Sequence, residues 1–153
     1  MAVQYGLGVI LTVIVLGLQM YFSGLPVTMP FIARFFDVPS LFIVLVFPLI
    51  FQCILHGWKD FTSAFSALFK KMIDTKELLK AKAFFENYTK AVFSMAFIAF
   101  IFSGIAIITV LENREGLGPN MMIALLVLFY ACLINMVIII PYKTIINKKI
   151  LEK

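Results

Sequence analysis

Residues 117–142 (LGPNMMIALLVLFYACLINMVIIIPY) carry no charge, and Lys143 follows at once. This run constrains the fold more than any other feature. A helix of about twenty apolar residues crosses a hydrocarbon layer ~30 Å thick. Lipid gives the backbone no hydrogen-bond partner, so a helix is the spanning form available to such a run. Pro119 suits the first turn of that helix, where a missing N–H costs nothing. Pro141 falls at the far end, where the helix bends or stops.

Four runs free of Asp, Glu, Lys and Arg can be marked out in this way, at about 5–22, 40–57, 91–111 and 121–140. The whole chain is 63% hydrophobic and 14% charged, against roughly half and a quarter in a soluble domain. The expectation is an all-α integral membrane protein of four transmembrane helices, forming one membrane domain over 1–153. Residues 1–4 contain no Lys or Arg, and no small-x-small cleavage site follows the first run. The first helix is therefore predicted to be retained rather than cleaved as a signal peptide.

The lysines set the expected topology. Lys59, Lys70, Lys71, Lys76, Lys80, Lys82 and Lys90 lie between the second and third runs, and Lys143, Lys148, Lys149 and Lys153 follow the fourth. Only Arg34 and Arg114 fall in the other two loops. Basic residues stay on the cytoplasmic side, so both termini and the central segment are expected inside. The net charge of +5 is explained by attraction to anionic lipid headgroups. A nucleic-acid partner is not expected, because no binding motif accompanies the lysines.

The cytoplasmic segment 58–90 reads as a short amphipathic helical hairpin. Trp58, Phe61, Phe65, Leu68 and Met72 follow helical spacing, with Lys59, Asp60, Ser63, Ser66 and Lys70 opposite. Its aromatic face either lies on lipid or a neighbouring helix, or makes Trp58, Phe61 and Phe65 a cytoplasmic docking surface. Asp74-Thr75 with Glu77 resembles a helix start, and that helix is predicted to run through Phe84, Phe85 and Tyr88 into the third span. Pro48 is expected to kink the second span. The loop Leu25–Pro39 contains Pro26, Pro30 and Pro39 and is expected to be irregular.

Small and polar residues form stripes on the last two spans. Ala96, Ala99, Ser103 and Ala106 are spaced to share one helix face, with Gly104 beside them. Asn120, Ala124, Ala131 and Asn135 form a broken stripe on the fourth span. Small residues let membrane helices approach closely, so ordinary helix packing accounts for the alanines. Asn135 and Ser103 need polar partners in hydrocarbon, from a neighbouring helix or along a polar path. Thr109 is expected to bond back to its own helix. Gln52 and His56 lie toward the inner end of the second span. Cys53 and Cys132 lack metal-ligand spacing and read as small apolar side chains. No catalytic constellation, metal site or cofactor site is expected: one His serves the whole chain, and there is no phosphate-binding glycine loop.

The fourth run also resembles the last transmembrane helix of the MotA/TolQ/ExbB proton-channel family, nearest the flagellar stator type. The matching residues are Gly118, Pro119, Met121, Ala124, Leu125, Leu126, Tyr130 and Pro141. Phe36, Asp37, Pro39, Ser40, Leu41, Ile43, Val44 and Leu45 resemble the family's approach to its second membrane helix. The resemblance implies a channel-type subunit of a proton-motive-force-driven complex in the bacterial inner membrane. Such a subunit would form a homo-oligomeric, pentamer-like ring around a single-span partner of the MotB/TolR/ExbD kind. It implies that Ala99, Ser103, Ala106, Ala124, Ala131, Asn135 and Pro141 face the pore or that partner. The sequence departs from the family in three ways. The third span has no proline, the fourth-span threonines are replaced by Val127 and Leu128, and only about thirty residues separate spans two and three. No acid lies within a span, so a proton-carrying carboxylate would have to come from the partner. The alternatives are a non-conducting scaffold or assembly relative of that family, and an unrelated four-helix membrane protein.

Overall fold

A computed structural model describes residues 2–22, 35–69, 74–109, 111 and 114–152, which are helical almost throughout, with no strand among them. The contacts divide the chain into two units, 1–37 and 38–153. The first contains α1 (Ala2–Phe22). Many of its described apolar side chains are exposed, Leu7, Leu11, Val13 and Ile14 among them, a pattern suited to lipid. The Thr12 hydroxyl donates to the Gly8 carbonyl at 2.9 Å, so its polar group is satisfied within the helix.

Among its described residues the second unit holds four helices. α2 runs Val38–His56, α3 Trp58–Phe69 and α4 Thr75–Thr109. α5 begins as Arg114–Ile134, passes through a widened turn at Asn135–Ile139 and finishes as Ile140–Leu151. Among the described residues, three stretches are long and apolar enough to cross a membrane: Val38–His56, Thr75–Thr109 and Leu117–Leu151. The apolar stretch described in α1, Gly6–Leu18, is shorter. These helices are compatible with a membrane protein.

The predicted elements are present with altered ends. The loop expected over Leu25–Pro39 falls mostly on residues 23–34, outside the described residues, and α2 has begun by Val38. α5 starts at Arg114, ahead of the Gly118–Pro119 turn predicted to open it, and Pro119 sits inside the helix. Neither does Pro141 end the helix. Ile140, just before it, donates its N–H to the Asn135 carbonyl five residues back, a π-helical bond. This wider turn makes room for the ring and absorbs the missing donor. α2 uses the same device. Phe47 donates to the Phe42 carbonyl across the π segment Phe42–Val46, and Pro48 follows.

α4 is continuous from Thr75 through the predicted third span, and the Asp74 carbonyl accepts the N–H groups of Glu77 and Leu78 at its start. At 35 residues it is about 52 Å long at 1.5 Å per residue, well beyond a hydrocarbon core of ~30 Å. Leu78, Ala81, Phe85, Tyr88, Val92 and Ala96 form its buried face and recur every three or four residues, as a helical stripe requires. Phe97, Ile101, Phe102, Ile105 and Ile108 are exposed on the other side.

The hairpin folds back through Gly57, whose φ of 81° is a conformation that favours glycine. α3 then lays Ala64 and Ala67 into the bundle, each 1% exposed. Phe61 packs on Phe84 with ring centroids 5.7 Å apart, Phe65 on Phe85 at 5.4 Å, and Phe85 stacks on Tyr142 of α5 at 5.4 Å. Edge-to-face pairs of this kind add about 0.5–1.5 kcal/mol each beyond burial. The aromatic face predicted for lipid, a neighbour or a docking partner is thus largely occupied by the chain's own α4 and α5. Lys149 of α5 reaches across to the Ala67 carbonyl at 2.8 Å, and Lys80 pairs with Asp60 at 3.3 Å. The segment after Pro141 and the central hairpin therefore lie at the same end of this unit.

Candidate functional site

The alanines and the serine proposed to face a pore or partner fall into two groups. Ala124 and Ala131 on α5 are 4% and 0% exposed, covered by the unit's own helices. Their small side chains let α4 and α5 lie close, as membrane helices require. Ala99, Ser103 and Ala106 on α4 are half-buried. They continue the face sealed at Val92 and Ala96, both 0% exposed, so this seam opens along its length toward Thr109. Gly104 is half-buried beside them, with nothing within 4 Å of where a Cβ would stand. The Thr109 hydroxyl donates to the Ala106 carbonyl at 2.8 Å, the back-bond its position predicts.

Asn135 is half-buried and opens the π segment, its backbone carbonyl accepting the Ile140 N–H. Pro141 is half-buried directly before Tyr142, which belongs to the aromatic cluster. These two residues therefore shape α5 and set the position of Tyr142. Of the predicted docking residues, Trp58 is 69% exposed while stacking on Phe61 at 5.4 Å. Phe61 and Phe65 are half-buried within the cluster.

A second polar group joins α2 to α4. Val44, Pro48, Gln52 and His56 recur every fourth residue on α2, with the first three buried and His56 half-buried. The His56 Nε2 lies 3.3 Å from the Asn87 Nδ2, and its ring meets Phe84 edge-on at 5.8 Å. The Tyr88 hydroxyl donates to the Leu45 carbonyl at 3.1 Å, inside the first π segment. Sequence reading placed Gln52 and His56 at the inner end of this span but did not pair them with Asn87 and Tyr88. The four-residue spacing around Pro48 was the available signal.

Among the described residues, no group of His, Cys, Asp and Glu is arranged to hold a metal ion. Comparison with protein-family models, with curated proteins and with solved structures finds no match to this chain.

Proposed function

We propose that this chain is a channel-type subunit of a MotA/TolQ/ExbB-like membrane complex in the bacterial inner membrane, assembling as a ring of copies around a single-span partner. The observation that carries this reading is the half-buried edge of Ala99, Ser103, Gly104 and Ala106 on α4. It is a strip of small side chains on a helix whose opposite surface is bulky and apolar. Another helix could approach its backbone closely there. The resemblance of the fourth run supplies the identity of that helix, and of the process, ion movement coupled to motion of the complex. The ion-carrying acid is assigned to the partner, because the four apolar runs contain no carboxylate.

Affinity purification in mild detergent tests the assembly. The expected companion has one membrane helix bearing an Asp, and the intact complex passes protons in a liposome flux assay. A complex that contains such a companion yet conducts nothing would refute transport.

A second reading, a non-conducting scaffold of the same family, is favoured by Ala124 and Ala131. Both are consumed in packing within the chain, which leaves fewer α5 residues for a pore. A ring that purifies without a companion helix and encloses lipid would support it.

A further inference from the structure

Three helices of the second unit change surface chemistry at one level. α2 ends with Ile54 and Leu55 exposed, and Trp58 and Lys59, both exposed, follow Gly57. On α4 exposed Lys90 directly precedes the exposed rings of Phe93 and Phe97. On α5 exposed Met136 and Ile140 give way to half-buried Lys143. Side-chain contacts hold these points side by side. His56 Nε2 lies 3.3 Å from Asn87 Nδ2, Phe61 packs on Phe84 at 5.7 Å, and Phe85 stacks on Tyr142 at 5.4 Å. Side chains on a helix tilt toward its own N-terminus. α4 and α5 run in opposite directions, so Lys90 leans toward the hairpin end and Lys143 leans back toward the apolar stretch, which brings the two toward one level. Beyond it the exposed positions are mostly polar: Asp74, Thr75, Lys76, Glu77 and Lys80 on α4, Thr144 and Lys148 on α5.

We infer that Trp58, Lys59, Lys90 and Lys143 form a collar in the headgroup layer of the cytoplasmic leaflet, and that its ligand is the phosphate of anionic phospholipids. Tryptophan favours that layer because its ring is apolar and its N–H is polar. Lysines there are attracted to anionic lipid over roughly a Debye length, about 8 Å at physiological ionic strength. The earlier lysines of α4 are too far away to share this role. At 1.5 Å per residue, Lys82, Lys80 and Lys76 lie about 12, 15 and 21 Å from Lys90. Of the described acids, Glu86 and Asp60 stand near the collar, and Lys80 pairs with Asp60 at 3.3 Å. Three lysines against Glu86 leave the collar positive. The inference needs the chain to cross a membrane, not to conduct ions.

Trp58 is the chain's single tryptophan, which makes the depth measurable. The full chain is placed in vesicles of phosphatidylcholine mixed equally with phosphatidylglycerol, carrying bromine either near the headgroup end of the acyl chains or near their terminal methyls. Trp58 fluorescence should be quenched several-fold more strongly by the shallow bromines. Quenching that is absent, or as strong with the deep bromines, would overturn the placement, and that measurement needs no variant to fold. Lipid choice is read separately, as phosphatidylglycerol retained over phosphatidylcholine after extraction in mild detergent. The joint variant Lys59→Gln, Lys90→Gln, Lys143→Gln should lose that preference several-fold, whereas Lys76→Gln, Lys80→Gln, Lys82→Gln, with the same charge removed, should keep it. Equal loss in the two would sink the collar as a site and leave only the overall charge. Inorganic phosphate at matched ionic strength should not displace the retained phosphatidylglycerol. Displacement would mean that the lysines take free phosphate, which would overturn the lipid assignment.

Discussion

Tyr88 shows how one side chain can secure a break in another helix. Pro48 removes the N–H that the Val44 carbonyl would otherwise meet, and the preceding turn widens to a π segment. Backbone carbonyls in such a turn need outside donors when no water reaches them. The Tyr88 hydroxyl meets one of them, Leu45, from a position only 2% exposed. Tyr88→Phe keeps the ring packing and deletes only that donor. The expected loss is about 1–3 kcal/mol, read as a lower unfolding midpoint in mixed micelles. An unchanged midpoint would mean that the Leu45 carbonyl is satisfied without it. The alanines give a second test of single residues. Ala131 is 0% exposed, so Ala131→Leu overpacks the seam and should destabilise the isolated chain by about 1–3 kcal/mol. Ala106 is half-buried. Ala106→Leu should leave the unfolding midpoint nearly unchanged and weaken recovery of a partner or of the oligomer. If Ala106→Leu instead unfolds the chain while the assembly survives at permissive temperature, the edge is internal packing and not a contact surface.

At the level of the elements, α3 is held by its ends as much as by its aromatic face. Gly57 turns the chain at its start, and Lys149 caps its far end through the Ala67 carbonyl, where a cation also meets the negative end of the helix dipole. Lys149→Met keeps most of the aliphatic stem and removes the charge. The last turn of α3 should then exchange its amide hydrogens roughly five- to tenfold faster, corresponding to about 1 kcal/mol of local stability, with α4 unaffected. Exchange that is unchanged would place the anchoring of α3 in Phe61 and Phe65 alone. Much of this layout was legible from spacing. The apolar runs marked α2, α4 and α5, the Asp74–Glu77 start placed α4, and the helical interval of Trp58, Phe61 and Phe65 revealed α3. What was not legible depended on which helices meet. Nothing local to Phe65 names Tyr142 as its neighbour, and nothing local to Asn87 names His56. Pro141 reads as a bend or a stop when only i→i+4 bonding is considered, and a five-residue π segment lets the helix pass through it. The small-residue edge on α4 was visible as a stripe, yet only burial separates its sealed part at Ala96 from its open part at Ala106.

At the scale of the whole molecule, the bonds within the second unit limit how it can sit in a bilayer. The Lys149–Ala67 and Lys80–Asp60 contacts gather the central hairpin and the last turns of α5 at one end. The connection from Thr109 to Arg114 lies at the other, because α4 and α5 each run the length of the unit between the two. Eight described lysines share the first end: Lys59, Lys76, Lys80, Lys82, Lys90, Lys143, Lys148 and Lys149. Moving that cluster across a membrane is strongly disfavoured, whereas Arg114 is the only basic residue next to the short α4–α5 connection. The surplus length of α4, about 22 Å beyond the hydrocarbon core, is therefore predicted to lie on the cytoplasmic side with the hairpin. Two single-cysteine variants in a Cys53→Ala, Cys132→Ala background test this, with a membrane-impermeant maleimide applied to intact cells and to inverted vesicles. Leu111→Cys, at an exposed position in the α4–α5 connection, should react in intact cells. Thr75→Cys, exposed at the start of α4, should react only in inverted vesicles. Reaction of both from the same side would mean that α4 does not cross the membrane, and the proposed ring would then lose the helix on which its contact edge lies.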